Sequence, residues 1–415
     1  MNRRVIAALA ASLLLVTAAC SDDDEPEAST STTAGEASTD STAAGESTDT
    51  TAAADPESAL PDVITIGVPL DTSGNPAVAP AGLGQLAGIE LAVQEIADTG
   101  FLGDTEIELE TVDTQGDTQA AVEAVLGFVQ DEVDGVVGFA LTQSFLAAGP
   151  ELQTAGIPTM TGGLAAPGVT EVGDFVFRLF PNIGAIAPAA DVEVAESVGA
   201  TTAAYLTQSD VATAAGLQPA RKAALEAAGI ETVEEQTFAS TDTDLRAQLT
   251  AIQDSGADVI VASIVSGSQT LVYLQAQELG IDAQIIGSAG VTGDILSQAG
   301  DAMQCAVYLV PWAPQSDDGN NAHFLELWGE SNDTPPNVFN AYGYGAMWAL
   351  ATAFQEAGSV DGAAVRDALA GLDSVETPLG DVNFQTDRDA GVQGTNIQVQ
   401  DGEEVVWDPE TECTR

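Results

Sequence analysis

From residue 60 onward, short runs of β-branched and aliphatic residues alternate with stretches whose apolar positions recur at helical spacing. The run at 63–68 predicts a strand. Leu86, Ile89, Val93 and Ile96 then recur with Glu90, Gln94, Glu95 and Asp98 around them, which predicts an amphipathic helix. Residues 106–112 alternate acids with Ile107, Leu109 and Thr111, the pattern of a half-exposed strand. A helix over 117–129 and a buried strand over 135–139 follow. Strands alternating with helices of this length imply mostly parallel sheets covered on both faces.

The pattern returns at an offset of 124 residues. Asp134-Gly135-Val136-Val137 lies over Asp258-Val259-Ile260-Val261. At the same offset Ser144 matches Ser268, Gln153 matches Gln277, Gly156 and Ile157 match Gly280 and Ile281, and Gly163 matches Gly287. Strand–helix units share glycines and aliphatics by chance, but one ungapped offset held over this stretch points to two similar α/β lobes rather than one long sheet. Ligands in open α/β sheets bind outside the carboxyl ends of the strands, at helix N-termini. The matched segments there are Ala140-Leu141-Thr142-Gln143-Ser144 and Ile264-Val265-Ser266-Gly267-Ser268, two hydroxyl-bearing turns that open helices. Such residues cap helices, and the same hydroxyls and free backbone N–H groups can hold a polar ligand.

Composition narrows the chemistry. The chain has 415 residues, 64 acids against 9 basic residues, and a formal net charge of −55. That balance excludes a binder of nucleic-acid backbones, which needs cations to neutralise phosphates. With one histidine, His323, and one lysine, Lys222, neither a multi-imidazole metal site nor a phosphate loop ending in lysine is expected. No cofactor is called for. No serine has a histidine partner that spacing identifies, and a catalytic thiol has no nearby imidazole, so the chain does not read as an enzyme. The stretch from Gly82 to Gly88 mimics a dinucleotide fingerprint with its last glycine displaced, and reads as a helix opening. Ser240 to Leu245 lacks the glycine and glutamate of a calcium loop and reads as a helix cap at Asp242 or Thr243. His323 reads as a surface or core residue, and Trp312, Trp328, Trp348 and Trp407 as core aromatics, with Trp312 beside a hinge.

The N-terminal part is not globular fold. Arg3 and Arg4 precede an apolar run of fifteen residues, 5–19, too short to span a bilayer but fitting an export signal. Val16-Thr17-Ala18-Ala19-Cys20 resembles a bacterial lipoprotein cleavage box, which implies a signal at 1–20 and acylation of Cys20. An ordinary secretory signal with an incidental cysteine is the alternative. Residues 21–61 hold no aromatic, Ile or Val and read as a disordered acidic tether with a root-mean-square span of roughly 35 Å. Cys305 and Cys413 then remain, and in an exported protein they read as one disulfide, or as two buried thiols.

Several stretches in order resemble the periplasmic branched-chain-amino-acid-binding family of ABC-transporter substrate-binding proteins. They are Ile64-Thr65-Ile66-Gly67-Val68-Pro69-Leu70-Asp71-Thr72-Ser73-Gly74, Gly88-Ile89-Glu90-Leu91-Ala92-Val93-Gln94-Glu95-Ile96, Asp113-Thr114-Gln115-Gly116-Asp117, Ala155-Gly156-Ile157-Pro158, Phe175-Val176-Phe177-Arg178, Gly256-Ala257-Asp258-Val259-Ile260 and the run 340–358. The resemblance covers about 62–400. It implies a type I periplasmic-binding-protein fold, with two Rossmann-like lobes, parallel-rich sheets and a three-crossover hinge. The first lobe would hold 62–181 and 313–375, the second 182–312 and 376–415. Crossings would fall near Pro181, between Pro311 and Pro314, and near Pro378.

The resemblance also implies a ligand site of Ser73, Thr142, Gly163, Leu164, Ala165, Ser266, Ser268 and Tyr344. Thr142 sits where the family binds the ligand carboxylate, and Ala165 keeps backbone groups where the family has a threonine. Tyr344 matches a cleft tyrosine or is a core aromatic of the helix over 340–356. Ser268 falls near the place of the acid that meets an ammonium group. Asp210, in the loop after Leu206, could take over the ammonium contact, but reads first as solvated surface. The implied role is an extracytoplasmic solute-binding lipoprotein of an ABC importer that captures a small polar solute, branched-chain amino acid-like or an amide or carboxylate, by hinge closure, with the solute, the permease subunits and, through a lipid anchor, the outer face of the cytoplasmic membrane as partners. A receptor-feeding sensor of the same fold is the alternative, and an extracellular enzyme a more distant one.

Overall fold

The computed structural model describes residues 60–414 apart from 75–77, 265, 289–292, 317–318 and 412, and does not describe the side chains at 212–213, 266–267 and 293–294. The expected signal at 1–20, the tether up to residue 59 and Cys20 lie outside the described residues.

The first lobe opens with β1 (Val63–Leu70), α1 (Ala79–Thr99), β2 (Glu106–Asp113), α2 (Thr118–Gln130), β3 (Gly135–Gly138), α3 (Thr142–Ala155), β4 (Thr159–Thr161) and β5 (Val176–Arg178). The strands form one parallel sheet in the order β2-β1-β3-β4-β5. The second lobe repeats the plan with α4 (Ile183–Ser197), β6 (Thr202–Gln208), α5 (Ala212–Ala227), β7 (Glu231–Phe238), α6 (Arg246–Ser255), β8 (Val259–Ser263), α7 (Ser266–Leu279), β9 (Gln284–Ile286), α8 (Gly293–Ala299) and β10 (Val307–Val310). Its parallel strands run β7-β6-β8-β9-β10, the same order one unit later.

The repeat read from sequence is therefore a repeat of structure. Helices α3 and α7 begin and end at the 124-residue offset. Asp134 accepts the N–H of Thr65 at 2.8 Å, and its counterpart Asp258 accepts those of Thr201 and Thr202 at 2.8 and 3.0 Å. Each carboxylate ties the start of a β3-type strand to its neighbour. Burial raises the pKa of Asp134, whereas exposed Asp258, bonded first of all by the Thr201 N–H, has its pKa lowered.

Both faces of each sheet are covered, as parallel sheets require. In the first lobe Phe128, Phe145 and Leu152 from α2 and α3 cover one face with Val136 and Val176. The other face, with Ile64, Ile66 and Val68, is covered by Ile89 and Ile96 of α1 and by three later helices: α9 (Asn321–Ser331), α10 (Val338–Ala357) and α11 (Gly362–Gly371). In the second lobe alternate residues of β8 face opposite ways, Val259 and Val261 toward α4 and α5, Ile260 and Ala262 toward α6 and α7. The hairpin β13 (Thr395–Gln400) and β14 (Glu403–Val406) extends this sheet antiparallel to β10. A disulfide joins Cys305 to Cys413, with Cα atoms 5.6 Å apart.

The chain passes between lobes three times. Leu179 and Phe180 pack in the first core before α4 enters the second, and Phe180 stacks on Tyr342 at 4.4 Å. The second passage follows β10 at Pro311, whose carbonyl accepts the Tyr342 hydroxyl at 3.2 Å. The third departs from the sequence reading. β11 (Val375–Thr377) and β12 (Gly380–Val382) form a hairpin on the first lobe, and Val375, Val382, Phe384, Ala390 and Val392 are buried in its core. The crossing lies at 392–395, not at Pro378, and the first lobe keeps residues assigned above to the second. Pro378 instead occupies the tight turn between Thr377 and Gly380, a place proline's fixed φ suits as well as it suits a linker.

The helices α1 and α10 meet backbone to backbone. A Cβ on Gly88 would lie 2.0 Å from the Asn340 carbonyl oxygen, and one on Gly343 would lie 2.2 Å from that of Gln85. This contact predicts a contrast between two alanine substitutions. Gly343→Ala forces the helices apart and costs about 1–3 kcal/mol or more. Gly127→Ala, in α2 with open space around it, is neutral or stabilising by about 0.5–1 kcal/mol. Urea unfolding of both variants measures the difference.

Candidate functional site

In a sheet of order 2-1-3-4-5 the connections diverge between the first and third strands, which leaves a crevice at their carboxyl ends. Here that point falls between β1 and β3, and again between β6 and β8. Most residues singled out from sequence sit on the loops that leave these strands and their neighbours β4 and β9.

After β1, buried Asp71 accepts the Gly116 N–H at 2.7 Å and the Thr114 hydroxyl. Exposed Ser73 donates its hydroxyl to Asp113 Oδ2 at 2.5 Å, while the N–H groups of Thr72 and Ser73 reach Asp113 Oδ1 at 3.0 and 3.2 Å. The Ser73 hydroxyl proton is thus committed within the turn. These bonds, the Ser73 hydroxyl first, hold the Asp113 carboxyl below its ordinary value.

After β3 the backbone turns through Gly138 and Phe139, the latter at φ 66°. A bulky residue in the left-handed region costs on the order of 1–3 kcal/mol and persists only where its surroundings hold it. Phe139 is held by burial, by an edge-on contact with Phe145 at 5.0 Å, by its N–H bond to the Pro69 carbonyl at 3.1 Å and by the Gln85 amide, which donates to its carbonyl at 3.3 Å. The strained turn delivers Thr142, half-buried, as the first residue of α3. Among the described residues no side chain caps this helix at its N-cap, Leu141, so its first N–H groups and the Thr142 hydroxyl can receive a polar group.

After β4, Gly163 rests on Gln85, whose amide nitrogen a Cβ there would meet at 2.4 Å. Leu164 is fully buried in the core beside α2 and α3, so its side chain serves packing and only its backbone faces the loop. Ala165 is half-buried and packs on the opposite core. Arg178 braces this loop, donating to the Ala166 carbonyl at 2.8 Å while its Nε reaches Asp389 at 3.0 Å.

In the second lobe Gln208, at the end of β6, donates to the Ser268 hydroxyl at 3.2 Å and so joins β6 to the first turn of α7. Ser266 opens α7, and its side chain lies outside the described residues. Ser288, after β9, donates to the Ala262 carbonyl at 2.6 Å and accepts the Ile264 N–H at 2.9 Å. Asp210 is exposed and accepts the Ser240 N–H at 2.9 Å and its hydroxyl, which lowers its pKa. Its carboxylate locks the loops after β6 and β7 together.

Tyr344 belongs elsewhere. It is fully buried, its hydroxyl donates to Glu95 Oε2 at 2.5 Å, and its ring lies 5.1 Å from that of Phe324. Glu95 also takes the Trp348 indole N–H at 3.1 Å and lies 2.5 Å from the Nε2 of exposed His323. That cluster sits towards the far end of α1 from Gln85 and the strand exits, so Tyr344 is a core aromatic. Helix α10 is buried almost all round, and spacing alone cannot tell which of its aromatics face a cleft. The cap expected at Asp242 or Thr243 is also absent. Helix α6 starts at Arg246, and Asp242 accepts the Ala239 N–H in the preceding turn instead.

The residues that sequence reading passed over are Gln85, Gln208 and Ser288, all buried. Gln85 had a signal, since it continues the Ile89, Ala92 and Ile96 face and is the polar member of a buried stripe. Gln208 and Ser288 had none beyond their place at strand ends. A cavity of about 320 Å³ lies beside the exit of β10, between Trp312, the β11–β12 hairpin and the third crossing. Among the described residues no group of three or more His, Cys, Asp or Glu could hold a metal ion, and no helix is long and apolar enough to cross a membrane.

Known proteins share this fold. A family model described as periplasmic binding protein matches residues 63–403. The leucine-, isoleucine-, valine-, threonine- and alanine-binding protein of Pseudomonas aeruginosa is 27% identical over 309 residues, 74% of this chain and 82% of that protein. The Thermotoga maritima leucine-binding protein LivK has a similar fold, with TM-score 0.70 and 23% identity over 83% of this chain and 98% of its own. A Rhodopseudomonas palustris solute-binding protein, solved with 3,4-dihydroxybenzoic acid, aligns with TM-score 0.69 and 22% identity over 83% of this chain and 95% of its own.

The Ser73–Asp113 turn yields a titration test. Asp113 has a depressed folded-state pKa, so its contribution to stability is present above the ordinary value of 3.8 and is lost as pH falls through the folded value. Ser73→Ala removes the largest cause and moves the Asp113 pKa up toward 3.8, which carboxyl-carbon NMR titration reads directly.

Proposed function

The chain belongs to the periplasmic binding protein family, as a type I member of its branched-chain amino acid branch, a family of transporter substrate-binding proteins and not of enzymes; from that premise we propose that it is the solute-capturing lipoprotein of an ABC importer. The observation that carries this reading is the twofold use of one strand order, with hydroxyl and amide groups at the same strand exits in both lobes. Acylated Cys20 would anchor it outside the cytoplasmic membrane, and 21–61 would be the tether. Solute in contact with both lobes favours the closed form, because only closure completes its contacts. The closed form is what the permease subunits would take up.

The bound solute is a small polar molecule, branched-chain amino acid-like or an amide or carboxylate, and the described residues of the site favour the amide or carboxylate without an amine. Thr142 and the uncapped first turn of α3 would hold its anionic or polar end. On the other lobe Ser268 and Gln208 present a hydroxyl and an amide, and Asp210, the acid of that loop, is engaged with Ser240. An ammonium group without a carboxylate partner forgoes a charge-assisted bond worth about 1.5–3 kcal/mol, roughly ten- to a hundredfold in affinity. Similar proteins span both chemistries, since one is named for leucine, isoleucine, valine, threonine and alanine and another was solved with 3,4-dihydroxybenzoic acid.

Calorimetric titration tests the assignment. Leucine, isoleucine and valine are expected to bind no tighter than their deaminated carboxylic acids, and Thr142→Val to weaken a carboxylate ligand about tenfold. Micromolar affinity for the three amino acids, with the deaminated acids a hundredfold weaker, would show that Ser268 had been over-read. A native mass spectrum of freshly purified protein identifies any solute carried through purification.

A further inference from the structure

One buried cation stands directly behind the second lobe's strand exits. Arg221 is 1% exposed, and its partner on α4, Asp191, is 3% exposed. All five N–H groups of the guanidinium are used. Nε and Nη2 donate to the two carboxylate oxygens of Asp191 at 2.5 and 2.8 Å. Nη1 donates to the Ala262 carbonyl at 2.8 Å and to the Ser263 hydroxyl at 3.2 Å, and Nη2 also reaches the Gly287 carbonyl at 3.1 Å. Ser263 in turn donates to the Gln218 amide at 2.9 Å. One side chain on α5 therefore ties the last residues of β8 to the residue that follows β9. The next residues out, Ile264 and Ser288, are bonded to each other, and α7 with Ser268 follows.

The internal repeat supplies a comparison. Helix α5 follows β6 as α1 follows β1, and at the 124-residue offset Ser263 matches Phe139 and Gly287 matches Gly163. In the first lobe Gln85 stands behind the corresponding exits, lying against Gly163 and donating to the Phe139 carbonyl at 3.3 Å; as the seventh residue of α1 it matches Gln218, the seventh of α5, and Arg221 is an addition of the second lobe. Among the described residues Gln85 Oε1 has no hydrogen-bond partner. Both lobes thus place a polar side chain of the first crossover helix behind the same two strand exits. The first lobe uses one neutral bond and a strained backbone, and the second uses a charged five-bond brace.

We propose that Arg221 is the positioning residue of the second lobe's half of the solute site, holding the exits of β8 and β9 in their binding geometry before any solute arrives. The proposal rests on the solute-binding reading for its purpose, but its test needs no solute. Removing one partner of a buried ion pair leaves an uncompensated charge, whereas replacing both with apolar residues often leaves stability intact. The double variant Arg221→Met with Asp191→Leu therefore separates a structural role from a positioning one.

Thermal unfolding and amide hydrogen exchange are measured on wild type and variant without added ligand. The expected result is a melting temperature close to wild type, with exchange at Ile264, Gly287 and Ser288 at least tenfold faster. Exchange in the interior of β6 and at residues 139–142 should be unchanged. Wild-type protection at 264 and 287–288 overturns the proposal, and so does acceleration spread evenly through the second lobe, the mark of a purely structural pair. Should the double variant fail to fold, Arg221→Lys serves instead. It keeps a charge opposite Asp191, but a single ammonium cannot span the acceptors of three elements, and the same local acceleration is expected. Native mass spectrometry separates the two ideas, because a wild type that carries no solute counts against the solute-binding reading while the exchange pattern still decides the role of Arg221.

Discussion

A parallel sheet has to be covered on both faces, and the first lobe cannot do this with contiguous chain. Helices α2 and α3 cover one face, but α1 alone leaves Ile64, Ile66 and Val68 half covered. The missing layer is α10, which arrives only after the whole β6–β10 unit has been completed. It fits because Gly88 and Gly343 let it lie backbone to backbone on α1. Once the chain must return to finish its first lobe, it must pass between lobes repeatedly. The hinge follows from a requirement for burial.

The same economy governs charge. In a chain of 64 acids and 9 basic residues, two arginines are nonetheless almost fully buried. Arg178 ties the end of β5 to Asp389 and to the loop after β4, and Arg221 ties α4 and α5 to the exits of β8 and β9. A guanidinium can donate in five directions at once, which makes it suited to joining several backbone carbonyls at a strand end. Surface cations such as Lys222 and Arg246 pair with exposed glutamates and contribute little by comparison.

The two lobes share a plan but differ in finish. The first sheet ends in a strained Phe139 over a single neutral amide, the second in a dense network of serines, glutamines and Arg221. The third crossing sits beside glycines with positive φ, Gly391 and Gly394, where the chain can turn with little steric cost.

Periodicity along the chain determined the elements, because a strand or helix buried on one face must write that face into every second, or every third and fourth, residue. It also determined the duplication, since Asp134 and Asp258 do the same local task at the same distance from the same glycines. Tertiary structure alone decided where the first lobe ends, because a proline serves a hairpin turn as readily as a linker and Pro378 turned out to be the former. It alone decided that Tyr344 is core, because a helix buried all round carries no directional signal. And it alone revealed Arg221. Ala214, Gln218, Arg221 and Leu225 form one helical face, but whether a cation on such a face is buried depends on an acid thirty residues away and on carbonyls contributed by two strands, and those distances close only in three dimensions.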